Sequence, residues 1–234
     1  MISLVGGLRR RQRISFLAAP AASGPAFRSV STSESISTTL TVTMPTGVAS
    51  GDVLVMQVAQ YVDQKIGGFV STPSGWTARQ TSAGSGNNEF RVQVFTKTAG
   101  SSESSVVFSS LTGNYIATAT VLAVSSASAV DVAGAMNFNV SPPNYVAASV
   151  TTTTSNGLLI GMWTRPSVGG SGNTFTIPAS MTARHNAVSS AGNSIHIHTA
   201  FATETLTASG ATGTRTATFS GSSYFPTATL LAVK

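Results

Sequence analysis

The sequence predicts an all-β protein, an antiparallel β-sandwich of jelly-roll-like form with about twelve strands and an extended N-terminal arm. Three observations lead to this prediction. Apolar and polar residues alternate along several short segments, which places them on opposite faces of a strand. Clusters of Gly, Ser, Asn and Pro separate these segments, as turns do in sandwiches and barrels. Only 9% of the 234 residues are charged, and Glu, Lys and Leu, which helical bundles require, are scarce.

The individual strand predictions follow from alternation and from short apolar runs. Leu40, Val42 and Met44 share one face, and threonines take the positions between them. The run 53–58 is mostly apolar, as in a buried strand. Further alternation is found at 90–95 and 195–198. The turn clusters between predicted strands lie at 82–88, 100–102, 167–173 and 208–213.

The body of the chain repeats itself once. Residues 73–79 read PSGWTAR, and residues 178–184 read PASMTAR, at an offset of 105 positions. Residues 118–124 read TATVLAV, and residues 227–233 read TATLLAV, at an offset of 109. Because the matches keep their order, they predict two related halves, about 30–136 and 137–234. The halves could form one pseudo-symmetric sandwich or two stacked sandwiches, and the short linker between them favours one compact body.

One pair of aligned residues indicates a structural role. Trp76 in the first motif aligns with Met181 in the second, and both side chains are large and apolar. An exchange of this kind fits core filling better than a ligand platform. We therefore expect both side chains to be buried.

Composition excludes several classes of protein. The chain has no Cys, which rules out a disulfide scaffold and a thiolate metal site. No apolar run approaches the roughly 18 residues of a membrane-spanning helix. With 41% hydrophobic residues the chain can form a core and is not disordered. We expect a single all-β body without membrane association.

Positive charge is concentrated in the first 28 residues. They hold five of the 13 basic residues and none of the seven acidic ones. The remainder carries a net charge of only +1, so we expect no nucleic-acid binding through the body. We predict that residues 1–29 form an anchoring arm for an acidic partner; a solvated tail, a secretory signal and a transit peptide are the alternatives. The predicted partner-binding residues are Leu4, Val5, Arg9, Arg10, Arg11, Arg13, Phe16 and Arg28.

The residues that could carry chemistry form no catalytic set. His196 and His198 alternate with Ile195 and Ile197, so both histidines point to one face of a strand. A metal needs further ligands, so we expect two exposed histidines and no metal site. The seven acidic residues form no close pair along the sequence, and no G-x-S-x-G motif occurs. The sequence predicts neither an enzyme nor a cofactor.

Several segments together resemble a known group of proteins. They read GDVLV at 51–55, TPSGWT at 72–77, VFTKTAGSSE at 94–103, SVTTTTSNGLLI at 149–160 and ATGTRTATFSGSSYFPTATLLAV at 211–233. This pattern is similar to duplicated β-sandwich modules that are common in tailed bacteriophages, prophages and some bacterial surface proteins. The resemblance covers about residues 30–233, and its motifs are structural.

The resemblance implies a virion accessory protein without catalytic residues. Such a protein decorates or cements the head, or forms a short fibre or a tail-associated subunit. The expected partners are other virion proteins of the capsid or tail, and the expected location is the virion, assembled in the bacterial host cytoplasm. Strand edges without protecting lysines favour a closed homo-oligomer, for example a trimer.

A carbohydrate-binding module that contacts host-surface glycans is the alternative. Glycan binding usually requires exposed aromatic platforms beside polar groups. The best candidates for such platforms are Tyr61, Tyr115, Tyr145 and Tyr224. The sequence assigns no glycan-binding residue.

Overall fold

The computed structural model confirms an all-β, antiparallel protein. It describes residues 24–63, 69–83, 88–109, 111, 114–138, 143–169, 172–189, 194–220 and 225–234. These residues form eighteen strands and no helix, and every strand pair is antiparallel. Within the same ranges no helix is long and apolar enough to span a membrane. The number of strands exceeds the predicted twelve partly because four have only two residues, too few to show alternation.

The first half contains one large and one small sheet. The large sheet has the order β1-β7-β3-β5-β4, and β2 pairs with β6 separately. The strands are β1 (Ala26–Ser35), β2 (Leu40–Val42), β3 (Val53–Asp63), β4 (Thr77–Ala83), β5 (Asn88–Thr98), β6 (Val106–Phe108) and β7 (Asn114–Ser125).

The second half has a similar plan. Its large sheet has the order β14-β15-β12-β18-β8, with β9 also on β18, and smaller sheets have the orders β10-β17-β13 and β11-β16. The strands are β8 (Val130–Ala133), β9 (Asn137–Phe138), β10 (Asn144–Ala147), β11 (Thr151–Thr152), β12 (Leu158–Val168), β13 (Phe175–Thr176), β14 (Thr182–Val188), β15 (Ile195–Thr205), β16 (Gly210–Ala211), β17 (Arg215–Phe219) and β18 (Thr227–Val233).

The repeated motifs occupy equivalent places in the two large sheets. Read from β8, the second large sheet runs β8-β18-β12-β15-β14, which matches β1-β7-β3-β5-β4 position by position. The amide of Trp76 donates to the Pro73 carbonyl at 3.1 Å, and the amide of Met181 donates to the Pro178 carbonyl at 2.9 Å. Both side chains are buried, as predicted, with 7% and 8% exposure.

The core lies in three layers that follow the sheets. One apolar cluster fills the first half, between its large sheet and β2-β6, and another fills the second half, between its large sheet and β10-β17-β13. A third cluster joins the two large sheets face to face and includes Val55, Leu122, Ile160, Phe201 and Leu231. This layering is consistent with a β-sandwich, since the two inner faces exclude water together.

Polar contacts also cross between the two large sheets. The hydroxyl of Thr164 on β12 donates to Gln57 Oε1 on β3 at 2.7 Å. The guanidinium of Arg184 on β14 lies 4.5 Å from the centre of the Phe27 ring on β1. These contacts fix how the two sheets lie on each other, because apolar packing alone is non-directional.

The strands of the two large sheets have their termini at the same two ends of the stacked sheets. At the end that we call the entry end, Ala26 pairs with Ser125, and Val53 packs in one cluster with Leu158 and Val233. At the opposite end, Tyr61 and Phe90 pack with Ile197. The described chain enters at Gly24, whose backbone lies against Asn156 at the entry end. Strand β1 includes residue 29, at which the arm was predicted to end.

Serine side chains join β1 to the segment 39–46. The serines occupy alternate positions of β1, so their hydroxyl groups share one face of the sheet. Each hydroxyl group bonds to the backbone of that segment, in a row that we call the serine seam. Its bonds are Ser29 Oγ to Thr46 O (2.7 Å), Ser31 Oγ to Thr43 O (2.6 Å), Thr43 N to Ser33 Oγ (3.0 Å) and Ser35 Oγ to Thr39 O (2.6 Å).

Candidate functional site

Most residues of the predicted anchoring arm lie outside the described residues. These are Leu4, Val5, Arg9, Arg10, Arg11, Arg13 and Phe16, and their role stays a prediction. Arg28 is described, and it belongs to β1. Its Nε lies 2.6 Å from Oδ2 of the buried Asp52, and its Nη2 donates to Oδ1 at 3.1 Å. The body therefore already holds the guanidinium of Arg28 in a bidentate ion pair.

The two histidines of β15 share a face, as predicted, but they are not both exposed. His198 is 1% exposed, and its Nε2 lies 2.8 Å from the Ser167 hydroxyl. His196 is partly buried, with Nδ1 at 3.0 Å from the Ser189 carbonyl. The exposed position predicted for His198 is wrong because the ring of Phe219 covers its imidazole, at 4.9 Å between centres. No group of three or more potential metal ligands occurs in the described part of the chain.

Aromatic residues around β12 are buried, where exposed platforms were expected. Tyr145 is fully buried and meets the Phe175 ring edge-on at 5.2 Å. Tyr61 is 7% exposed. The exposed use expected for these two tyrosines is therefore wrong, while the side chains of Tyr115 and Tyr224 lie outside the described residues.

The same cluster holds a buried arginine that the sequence did not reveal. Arg165 is 1% exposed, and its guanidinium carbon lies 4.1 Å from the centre of the Phe219 ring. Burial lowers the pKa of Arg165, and interaction with Tyr145 raises it in part. Stacking on an aromatic face is a common way to hold a guanidinium away from water. This arrangement is structural, since the group is enclosed by the second-half core.

A cleft of about 280 Å³ opens between β1 and β7 of the first half and β14 and β15 of the second. We call it the His185 cleft. Its walls carry an imidazole, hydroxyl groups, a carboxylate and an aliphatic side chain. The residues that matter here are Thr32, Glu34, Thr118, His185, Ile197 and Thr199.

The two copies of the repeat differ at a residue that lines the cleft. In the first copy, TARQ places Gln80 on β4, and its Nε2 crosses to the second half, where it donates to Thr229 Oγ1 at 2.6 Å and to the Gly134 carbonyl. In the second copy, TARH places His185 at the equivalent position. The imidazole instead bonds within its own sheet, with Nε2 at 2.9 Å from Thr199 Oγ1.

Two threonines on β7 have hydroxyl groups that bond to no atom in the described part of the chain. These are the buried Oγ1 atoms of Thr118 and Thr120. In the aligned motifs Thr120 corresponds to Thr229, the residue that Gln80 reaches on the opposite side. Thr118 is 5% exposed and lines the His185 cleft. A buried hydroxyl without a partner costs about 1–3 kcal/mol of free energy.

Burial also sets the protonation of His185. It lowers the pKa of the imidazole below its ordinary value of 6.5. At neutral pH the ring is therefore uncharged, and one nitrogen donates a hydrogen bond while the other accepts one. The imidazole therefore adds no positive charge to the cleft, and its Nε2 is already bonded to Thr199.

A second depression lies on the opposite edge of the large sheets, between β4 and β8, and is lined partly by Arg79, Thr96 and Lys97. Its charged groups are already bound within the protein. Arg79 donates from Nε to Thr96 Oγ1 at 2.7 Å, and Lys97 forms a 2.7 Å ion pair with Glu103. The His185 cleft, which is lined by residues of both halves, is the candidate for a binding site.

Three comparisons with known proteins gave no match. No family model matches the sequence, no curated protein matches it at a significant level, and no solved structure matches it at a significant level. What the chain does is therefore inferred from its own residues.

Proposed function

We propose that the chain is a non-enzymatic structural protein of a tailed-bacteriophage virion. It decorates or cements the head, or serves as a short fibre or tail accessory, and the basic segment before the body anchors it to its neighbours. Residues 30–233 resemble β-sandwich modules of tailed bacteriophages, and this resemblance supports the virion role. The position of Gly24 at the entry end supports the anchoring role of the segment before it. Residues 1–23, which hold four arginines and no acidic residue, join the body at that end. Their charge suits an acidic surface on a neighbouring protein.

Within this proposal the body is a duplicated, jelly-roll-like β-sandwich. The shared strand order of the two large sheets supports duplication, as do the paired turns at Trp76 and Met181. A second matching bond supports it too. Arg79 donates to Thr96 at 2.7 Å, and its equivalent Arg184 donates to Thr203 at 2.8 Å.

Lateral association into a closed homo-oligomer, such as a trimer, belongs to the same proposal. The outer strands β4 and β14 of the two large sheets contain no lysine, the residue that most often protects an edge from pairing. An edge of this kind can pair with a neighbouring copy, and a closed ring then leaves no edge free.

Cryo-electron microscopy of particles assembled with and without this protein tests the virion role. We expect the full chain to add density at symmetry-related positions on the head or tail. A chain of residues 24–234 should fold, with unchanged circular dichroism, but should be missing from the particles. A variant with Arg9, Arg10, Arg11 and Arg13 all changed to Gln separates charge from length. We expect it to bind particles weakly and with little dependence on salt, whereas binding of the original chain should weaken as salt rises.

Two outcomes contradict the proposal in different ways. Normal incorporation of residues 24–234 would show that the arm is not the anchor. Identical particles with and without the protein would remove the virion role altogether.

Contact with host-surface glycans is the second candidate function, and the His185 cleft is the observation that favours it. Glycan binding in this cleft would not use an exposed aromatic ring of the kind expected at Tyr61 and Tyr145. Binding of residues 24–234 to a glycan array, with no dependence on the arm, would support this second function over the first.

A further inference from the structure

The depression between β4 and β8 differs from the His185 cleft because positive side chains line it. Arg79 and Lys97 are among its lining residues, and the described lining contains no carboxylate. The ion pair with Glu103 compensates the charge of Lys97, whereas none of the ion pairs among the described residues includes Arg79. The net positive charge of the depression is therefore that of Arg79.

Only one nitrogen of the Arg79 guanidinium has a partner in the described part of the chain. Its Nε donates to Thr96 Oγ1 at 2.7 Å, and the side chain is exposed. The two terminal nitrogens make no further bond to described residues. The bond at Nε orients the guanidinium, and the terminal N–H groups match the two oxygens of a carboxylate in a bidentate pair.

The equivalent arginine of the second half makes the same bond but is covered. Arg184 donates from Nε to Thr203 Oγ1 at 2.8 Å. Its guanidinium also lies 4.5 Å from the centre of the Phe27 ring, and the side chain is only partly exposed. In the second copy of the repeat, an aromatic ring of the chain itself therefore occupies the face of the guanidinium.

The first copy has no such ring, and a valine stands in its place. Phe27 pairs with Val124, and Val130 pairs with Val233, which is the equivalent of Val124 in the repeated motif. Val130 and Arg79 both line the depression, which has a volume of about 350 Å³. The repeat thus leaves an open space beside Arg79 at the position that is filled in the second copy.

The depression lies at the entry end, where the basic arm joins the body. Val53 lines it, and Val53 belongs to the entry end. Strands β1 and β4 are separated by four strand spacings, which is about 19 Å across the sheet. A neighbouring protein that binds the arm therefore lies within reach of Arg79. An acidic surface suits both contacts, because both are positively charged.

We propose that Arg79 binds a carboxylate of the neighbouring protein that receives the arm, so that arm and body contact one acidic surface together. This inference rests on the anchoring role in the proposed function and names the residue of the body that takes part. The occupant of the depression is an acidic segment of that protein. Two linked contacts bind more tightly than either contact alone, because the second forms within an existing complex.

The test uses the full chain and an acetylated, amidated tetraglutamate peptide, with tetraglutamine as the uncharged probe. Backbone amide shifts followed by NMR report both affinity and location. The titration is repeated in the variant with Arg9, Arg10, Arg11 and Arg13 changed to Gln, which removes binding by the arm. In both chains we expect tetraglutamate to shift the amides of β4 and of residues 128–130, with a Kd of about 1 mM at low salt. Tetraglutamine should cause no shifts.

Arg184→Gln is the matched control for Arg79→Gln. Both variants lose one positive charge and one bond from Nε to a threonine, but only Arg79 has an open guanidinium. We expect Arg79→Gln to weaken tetraglutamate binding at this site about tenfold, and Arg184→Gln to weaken it by less than about twofold. Arg79→Lys keeps the charge without the planar fork, so its affinity should fall between them. Circular dichroism checks that each variant is folded.

Three results overturn the inference. The first is a tetraglutamate titration that shifts only amides of the arm, which leaves the anchoring role of the arm intact. The second is equal affinity in Arg79→Gln and Arg184→Gln. The third is binding of inorganic phosphate at this site in preference to tetraglutamate, which would assign the site to a phosphate group. If the variant with four glutamines enters particles normally and Arg79→Gln does not, the contact at Arg79 stands and only the role of the arm fails.

Discussion

At the scale of single residues, the second-half core depends on a glycine that leaves room for a tryptophan. The ring of Trp163 is fully buried, and its Nε1 donates to the Tyr145 carbonyl at 3.0 Å. A Cβ at Gly161 would lie 2.8 Å from Cζ3 of that ring and 3.2 Å from the Met181 Cε. The hydrogen bond holds the ring in place, so the ring cannot move aside without breaking it.

We predict that Gly161→Ala lowers the free energy of unfolding by about 1–3 kcal/mol, the usual cost of overpacking a well-filled core. Urea denaturation measures the change. Gly172→Ala is the control, because nothing lies within 4 Å of a Cβ at that position. Equal stability of the two variants would contradict the proposed fit between Gly161 and Trp163.

At the scale of elements, β1 shows how a strand can be held by two different kinds of bond. Its backbone pairs with β7 from Ala26 to Ser35, and its hydroxyl groups bond to the segment 39–46 through the serine seam. The seam lets that segment pack on the sheet although only Leu40–Val42 within it is a strand.

The serine seam predicts slow hydrogen exchange at the amide of Thr43, although Thr43 belongs to no strand. The amide of Thr43 donates to Ser33 Oγ at 3.0 Å, so Ser33→Ala should speed its hydrogen exchange about fivefold. Ser31→Ala is the matched control. Ser31 donates a hydrogen bond to the carbonyl of Thr43, so its loss leaves the hydrogen bond from the Thr43 amide to Ser33 intact. Similar exchange rates in both variants would show that the seam does not protect Thr43. NMR after transfer to deuterated solvent provides the measurement.

Elements with apolar alternation could be predicted from the sequence, and β1 could not. Leu40 and Val42 are buried on either side of an exposed Thr41, and all side chains of the predicted run 53–58 are buried. In β1, however, serines occupy the positions facing the segment 39–46, and hydroxyl groups carry no hydropathy signal. The predicted boundary at residue 29 therefore fell inside a strand.

At the scale of the whole molecule, the largest sheets lie in the middle and not on the outside. Each of them packs on a smaller sheet through one face and on the other large sheet through the other face. Separating the halves would expose the apolar side chains of the shared cluster to water. The free energy of burial therefore favours unfolding of both halves together.

The two tryptophans test this cooperativity, because Trp76 lies in the first-half core and Trp163 in the second. Trp76→Phe and Trp163→Phe each leave a fluorescent reporter in one half. In each variant we expect the fluorescence transition in urea to coincide with the circular dichroism transition of the whole chain. A fluorescence midpoint that differs from the circular dichroism midpoint would mean that the halves unfold separately.

The candidate site illustrates the limit of sequence reasoning more sharply than the fold does. The motifs TARQ and TARH are present in the sequence. Only the structure shows that Gln80 bonds across to the other large sheet, while His185 bonds within its own sheet. The contact between Phe27 on β1 and Arg184 on β14 is a long-range contact that no local pattern encodes. The repeat could have directed attention to position 185, since it is where two otherwise similar motifs diverge.

The serine seam and the orientation of β1 have a mechanical consequence. Strand β1 starts at the entry end and runs towards the opposite end, so a pull on residue 24 away from the body acts along the strand. Ladder hydrogen bonds lie across that direction, and so they are loaded together in shear and not broken one at a time. The serine bonds add a second row that must slip in the same step. A tether attached at this point therefore loads the body in shear.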